Sequence, residues 1–73
     1  MGRNQHVVSH SNGWAVEAEG ASQPHAVFKT QSEAWEKAKS LARKERAAAF
    51  LHARNGEIRV CNIYGHDARR RKA

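Results

Sequence analysis

Cysteine, proline and methionine each occur once in the 73 residues, and acidic residues are outnumbered by basic ones, 7 to 13. A single thiol, Cys61, excludes an intrachain disulfide framework and any cysteine-rich structural zinc site, and it suits a reducing compartment. Long apolar runs are missing as well. The longest, Ala47–Leu51, falls far short of the ~20 residues that a membrane span requires. The first five residues lead into no apolar segment of a signal peptide. The expectation is a soluble cytoplasmic protein without a membrane partner. Gly2, Gly13, Gly20, Gly56 and Gly65 are dispersed and make no phosphate-cradling loop. A chain this short removes only ~60% of its unfolded surface from water, so its core is thin and a partner chain is a natural complement. That thinness argues against a deep active site, against a small-molecule substrate and against an enzyme.

What is present reads as two hairpins around a helix. Residues 5–10 and 14–19 carry β-formers on either side of Ser11-Asn12-Gly13, and Asn-Gly accepts the positive φ angles of a tight turn. Trp14, Val16 and Ala18 alternate with Ala15, Glu17 and Glu19, which gives one inward and one outward face. Val7 falls on the Trp14 face if the turn has two residues, Val8 if it has three, and the two-residue form is preferred. A loop from Gly20 to His25 holds the lone proline and leads into a short extended Ala26-Val27-Phe28. Thr30-Gln31-Ser32-Glu33 matches a capping box, so a helix starts there. It runs to about Ala47, with Ala34, Trp35, Ala38, Leu41 and Ala42 on one side. Residues 50–54 and 57–63 flank Asn55-Gly56, a turn signal that sets Arg54 against Glu57. In that register Leu51, Ala53, Ile58 and Val60 share one face, while Phe50, His52, Arg54, Glu57, Arg59 and Cys61 share the other. The fold class that follows is α+β: a four-stranded antiparallel sheet of two hairpins in ββαββ order, with one helix packed on one face. Residues 1–4 read as a flexible N-terminus, 5–64 as the single domain and 65–73 as a basic, disordered tail.

His6-Val7-Val8 before Gly13-Trp14-Ala15-Val16, Thr30-Gln31-Ser32-Glu33-Ala34 with Ala38 and Leu41-Ala42-Arg43, and Leu51-His52-Ala53-Arg54-Asn55-Gly56-Glu57-Ile58-Arg59 together resemble a small bacterial family catalogued as domain of unknown function 2188. The resemblance spans roughly His6 to Tyr64. Ser9 stands where a proline is expected after the Val-Val pair, and Trp35 where a small aliphatic residue is. These motifs are turn, cap and core residues. The resemblance implies an architecture and carries no activity with it.

Charge is the remaining signal. The formal net charge is +6, and residues 65–73 supply half of it through Arg69, Arg70, Arg71 and Lys72 against Asp67. Lys39, Arg43 and Arg46 line one side of the helix, a stripe that by itself is the ordinary solvated face of an amphipathic helix. With His52, Arg54 and Arg59 on the outward hairpin face and the tail, it makes a candidate surface for DNA or RNA, where each phosphate neutralised releases a counterion. No groove-reading motif accompanies it, so binding without base specificity is the expectation. The competing reading is a protein-docking module, an adaptor or inhibitor or a homodimer, that uses the exposed sheet face or a strand edge. Trp14 and Trp35 sit on apolar faces and read as core, not as stacking platforms. Five histidines invite a metal, yet His6 and His10 stand about 13 Å apart along a strand and no carboxylate joins any of them at ligand spacing, so no cofactor is expected. Cys61 and His52 share a face, but no orienting carboxylate or oxyanion loop completes a nucleophilic site.

Overall fold

Each hairpin forms where its turn residues allow it, and the way the two hairpins meet decides the sheet. In the computed structural model, which describes residues 3–11 and 13–65, β1 (Gln5–His10) pairs antiparallel with β2 (Gly13–Ala18). His10 faces Gly13, so the loop lies one residue earlier than Asn12-Gly13, and Ser11 takes the positive φ of 42°. It is still a two-residue loop, which puts Val7 opposite Val16 and on the Trp14 face as expected.

Beyond the Gly20–His25 loop the chain turns back as β3 (Ala26–Phe28), which pairs antiparallel with the other side of β2. Gly13 makes this possible. A Cβ there would stand 2.1 Å from the Phe28 carbonyl oxygen, so only glycine lets β3 close against the start of β2. Helix α1 (Gln31–Glu45) then crosses the sheet and delivers β4 (Ala48–His52) alongside β1. That pairing is parallel, Gln5 with Ala49 through Val7 with Leu51. β5 (Ile58–Ile63) returns antiparallel to β4. Among the described residues the result is one five-stranded mixed sheet in the order β3-β2-β1-β4-β5. The four-stranded antiparallel expectation fails on two counts. The extended tripeptide 26–28 joins the sheet, and the helical crossover sets the second hairpin parallel to β1, as a crossover through a helix allows and a tight turn does not.

α1 begins as its capping box dictates, with the Thr30 hydroxyl accepting from the Glu33 amide at 3.1 Å. It ends on Arg46, which takes the left-handed conformation at φ 57°, and the Ala47 amide donates to the Ala42 carbonyl, a hydrogen-bonding pattern that closes many helices. Ala34, Ala38 and Ala42 are fully buried and recur every fourth residue. Their small side chains let the helix lie close over Val7, Trp14, Val16, Ala49 and Leu51. Trp35 departs from the expectation: it is half-buried, packs against the edge of this core rather than between helix and sheet, and has Lys39 Nζ 5.6 Å from its ring centre. The alanine stripe leaves no room beneath the helix for an indole. Replacing Thr30 by Ala removes one acceptor from the helix start and should cost about 1 kcal/mol, read as a lower urea midpoint with an unchanged circular dichroism spectrum.

The second hairpin keeps the expected pairs Phe50 with Cys61 and Leu51 with Val60. It departs from them at its tip, where the register shifts between Leu51 and His52, so that His52 faces Ile58 and not Arg59. The Gly56 amide donates to Ala53 and the Ala53 amide to Glu57, with Gly56 at φ 95°. Three residues therefore form the loop and Arg54 does not face Glu57. Gly56 takes the positive φ that ends such a loop.

Candidate functional site

α1 packs on β1, β2, β3 and β4 and leaves β5 outside its cover. Side chains on β5 are correspondingly open, with Ile58 57%, Val60 38% and Ile63 59% exposed. Cys61 is exposed too. β5 is also a sheet edge, so one side of its backbone has no neighbouring strand among the described residues, and Arg59 is its single charged residue. An edge of this kind, apolar and scarcely guarded by charge, is a template for pairing with another chain.

Among the described residues, the cations named from sequence lie against different parts of the fold. Lys39 bonds Glu36 at 3.0 Å and lies on Trp35. Arg43 sits over the Tyr64 ring at 5.5 Å. Arg54 leaves the hairpin tip and covers the Trp14 ring at 5.2 Å, capping one end of the core. His52 belongs to the opposite face of the sheet, and Arg59 to β5. Arg43 and Arg46, at the end of α1, do lie near the last described residues: the Tyr64 amide donates to the Ala47 carbonyl, and a Cβ on Gly65 would stand 2.9 Å from the Arg46 carbonyl oxygen. Arg43 and Arg46 thus flank the point where the chain passes into residues 66–73. Arg69, Arg70, Arg71 and Lys72 lie outside the described residues.

The face away from α1 holds a group that sequence reasoning missed. His6 Nδ1 lies 3.0 Å from His52 Nε2, and His6 Nε2 lies 3.0 Å from Glu19 Oε1. His52 Nδ1 reaches the Gly56 carbonyl at 3.2 Å. The His6 ring stacks on Phe50 with centroids 4.9 Å apart. Asn4 steadies the Glu19 end, donating to Glu19 at 3.2 Å and accepting from the Ala48 amide at 2.9 Å. The hydrogen bond from His6, followed by that from Asn4, holds the exposed Glu19 carboxyl below its ordinary pKa. Two histidines separated by 46 positions give no sequence signal. Only the parallel β1–β4 register, with His6 opposite Phe50, brings them together. Both His52 nitrogens are engaged, so none is free to activate Cys61. Among the described residues no three of His, Cys, Asp and Glu are placed to hold a metal ion, and no helix is long and apolar enough to cross a membrane.

Residues 5–64 match the family DUF2188, described as uncharacterized proteins conserved in bacteria. The chain belongs to this family. The chain is also similar to an uncharacterized protein of Bacillus subtilis strain 168, YdaT, with 36% identity over 58 residues that cover 80% of this chain and 39% of the relative. The chain therefore spans about two fifths of that relative's length. No solved structure matches it.

Proposed function

We propose that this chain is a small protein-docking module, working by binding and not by catalysis, with the edge of β5 as its working surface and a second copy of itself as its first partner. The observation that carries this reading is the exposure of Ile58, Val60 and Ile63 on a strand that lies beyond the helix and has an open edge. Antiparallel pairing of two β5 strands about a two-fold axis would make each copy both template and complement, extend the sheet, and cover apolar side chains that one small domain cannot cover alone. Sedimentation velocity should show a dimer. Ile58→Lys with Ile63→Lys should give a monomer of unchanged helix content, because both side chains are already open to solvent. Mild oxidation should link two wild-type chains through Cys61 and leave the double variant unlinked. A wild-type protein that stays monomeric into the near-millimolar range overturns the reading.

A second reading is favoured by the placement of Arg43 and Arg46 beside Gly65, where the basic residues 69–72 follow: weak binding of DNA or RNA without base specificity, centred on this corner. Its support is electrostatic, so it separates cleanly from a strand-edge contact. Affinity for a labelled random duplex should fall steeply with salt, and removal of residues 66–73 should flatten the slope of log affinity against log salt by about 0.9 for each phosphate that is no longer neutralised. Dissociation constants weaker than ~10⁻⁴ M at low salt, where non-specific binders do better, would reject it.

A further inference from the structure

The chain Glu19–His6–His52–Gly56 can be read by counting protons. The Gly56 carbonyl only accepts, so the 3.2 Å contact requires a proton on His52 Nδ1. The Glu19 carboxylate also accepts, so the 3.0 Å contact requires one on His6 Nε2. Between His6 Nδ1 and His52 Nε2, again 3.0 Å apart, there is room for one proton and a need for one. Three protons on four ring nitrogens make a pair of imidazoles with one shared positive charge, set against the negative charge of Glu19. One more proton puts two N–H groups and two like charges face to face at 3.0 Å. One fewer leaves a pair of acceptors confronting each other somewhere along the chain.

The four groups come from four places: the end of β2, β1, β4 and the turn before β5. They bridge the β1–β4 seam, which consists of three residue pairs, and they hold the tip of the second hairpin through Gly56. We propose that Glu19, His6 and His52 form a proton-counting clasp that seats the β4–β5 hairpin against the first hairpin in one charge state and loosens it when a proton is added or removed. The clasp governs the seating of β5 whether or not β5 docks a partner. Among the described residues, the titratable or charged groups near this side include Glu17, which faces His6 from β2, His25, which leads into β3 with its amide on the Val16 carbonyl, His10 farther along β1, Cys61 and Arg59 on β5, and Glu57 in the turn; α1 lies on the opposite face. Glu17 adds a second negative charge near His6 and so favours the same singly charged pair.

The sign on each side follows from the count. As pH falls, the inner hydrogen bond breaks when the second imidazole charges. The contribution of Glu19, whose pKa is lowered, is present above the ordinary carboxylate range and disappears at lower pH still. As pH rises, the shared proton leaves. The melting temperature of the full chain should therefore pass through a maximum as pH is varied, falling on either side of the singly charged state. In His52→Gln that maximum should vanish from the profile, while the remaining pH dependence of the domain persists. Glu19→Gln alters an exposed side chain and should fold regardless. It keeps an acceptor but removes the anion, so the maximum should move to lower pH. Imidazole ¹⁵N spectra at the wild-type maximum should count three protons over His6 and His52. Parallel profiles for wild type and His52→Gln, an unmoved maximum in Glu19→Gln, or two independently titrating rings would each overturn the clasp.

Discussion

Replacing Gly13 by Ala should cost about 3 kcal/mol or more, although it adds a single methyl group. The position where that group would go is 2.1 Å from the Phe28 carbonyl oxygen, and a backbone atom cannot move aside as the end of a flexible side chain can. Either β3 lifts off β2 or the start of β2 distorts, and both forfeit pairs between Trp14 and Phe28 and between Ala15 and Val27. Strain of this kind commonly costs about 1–3 kcal/mol, and more where the backbone must shift. At ~0.05–0.15 kcal/mol per residue the whole domain holds roughly 4–11 kcal/mol, so the variant should sit near the edge of folding. Urea unfolding measures the loss, and amide exchange over residues 26–28 locates it. By contrast, Gly20 and Gly56 have nothing within 4 Å of the added atom, and alanine there meets only the cost of a positive φ. An unchanged midpoint for Gly13→Ala would mean that β3 does not close on β2.

The two tryptophans should differ sharply. Trp14 is 7% exposed, lies within the core cluster and is lidded by Arg54. Trp14→Ala should therefore cost ~3–5 kcal/mol, the usual loss for emptying an aromatic site, and the domain should be largely unfolded at physiological temperature. Trp35 is half-buried at the helix flank, so Trp35→Ala should cost about 1–2 kcal/mol, from the apolar area it covers and its place beneath Lys39. Urea midpoints give the ranking. Iodide quenching supplies an independent check: Trp35→Phe, which keeps the buried Trp14 alone, should be quenched much less than the wild type, whose accessible emission comes from Trp35. Equal losses at the two positions would contradict the packing of the alanine stripe against the sheet.

These two residues also mark how far the sequence could be read. Trp14 follows period-two alternation on a strand, and alternation fixes a face. Trp35 follows helical spacing, which fixes a side of the helix but not how close that side stands to the sheet. The separation was set by Ala34, Ala38 and Ala42, whose stripe excludes the indole. Thr30, the Val7 face and the pairs of Phe50 and Leu51 were legible because each depends on residues close in sequence or on local periodicity. Three features were not. β3 is three residues long and owes its place to a contact with Gly13. The parallel pairing of β1 and β4 leaves no mark on the periodicity of either strand. The His6–His52 contact exists only once that pairing does. The irregularity at His52 likewise set Ile58, expected on the Leu51 face, opposite His52, since one extra residue in a strand re-aims its neighbours. The cations were visible as charge and not as partners: Arg43 and Arg54 cover aromatic rings whose positions depend on the folded chain.

The parallel seam also bears on how the molecule assembles. Both hairpins and the helix join residues that are near neighbours along the chain and can form early and independently. Gln5 and Ala49 are more than half the chain apart, and closing that distance costs entropy before any contact offsets it. The β1–β4 pairing should therefore form late in folding, and a variant that weakens it should slow refolding less than it speeds unfolding. The same line is held by more than sheet pairing, since Ala49 and Leu51 of β4 belong to the core under α1. A fluctuation that parts β4 and β5 from the rest leaves each hairpin intact but breaks three residue pairs of sheet, the His6–His52 and Asn4–Ala48 bonds and the packing of Ala49 and Leu51, so it should be a costly sub-global opening and not local fraying.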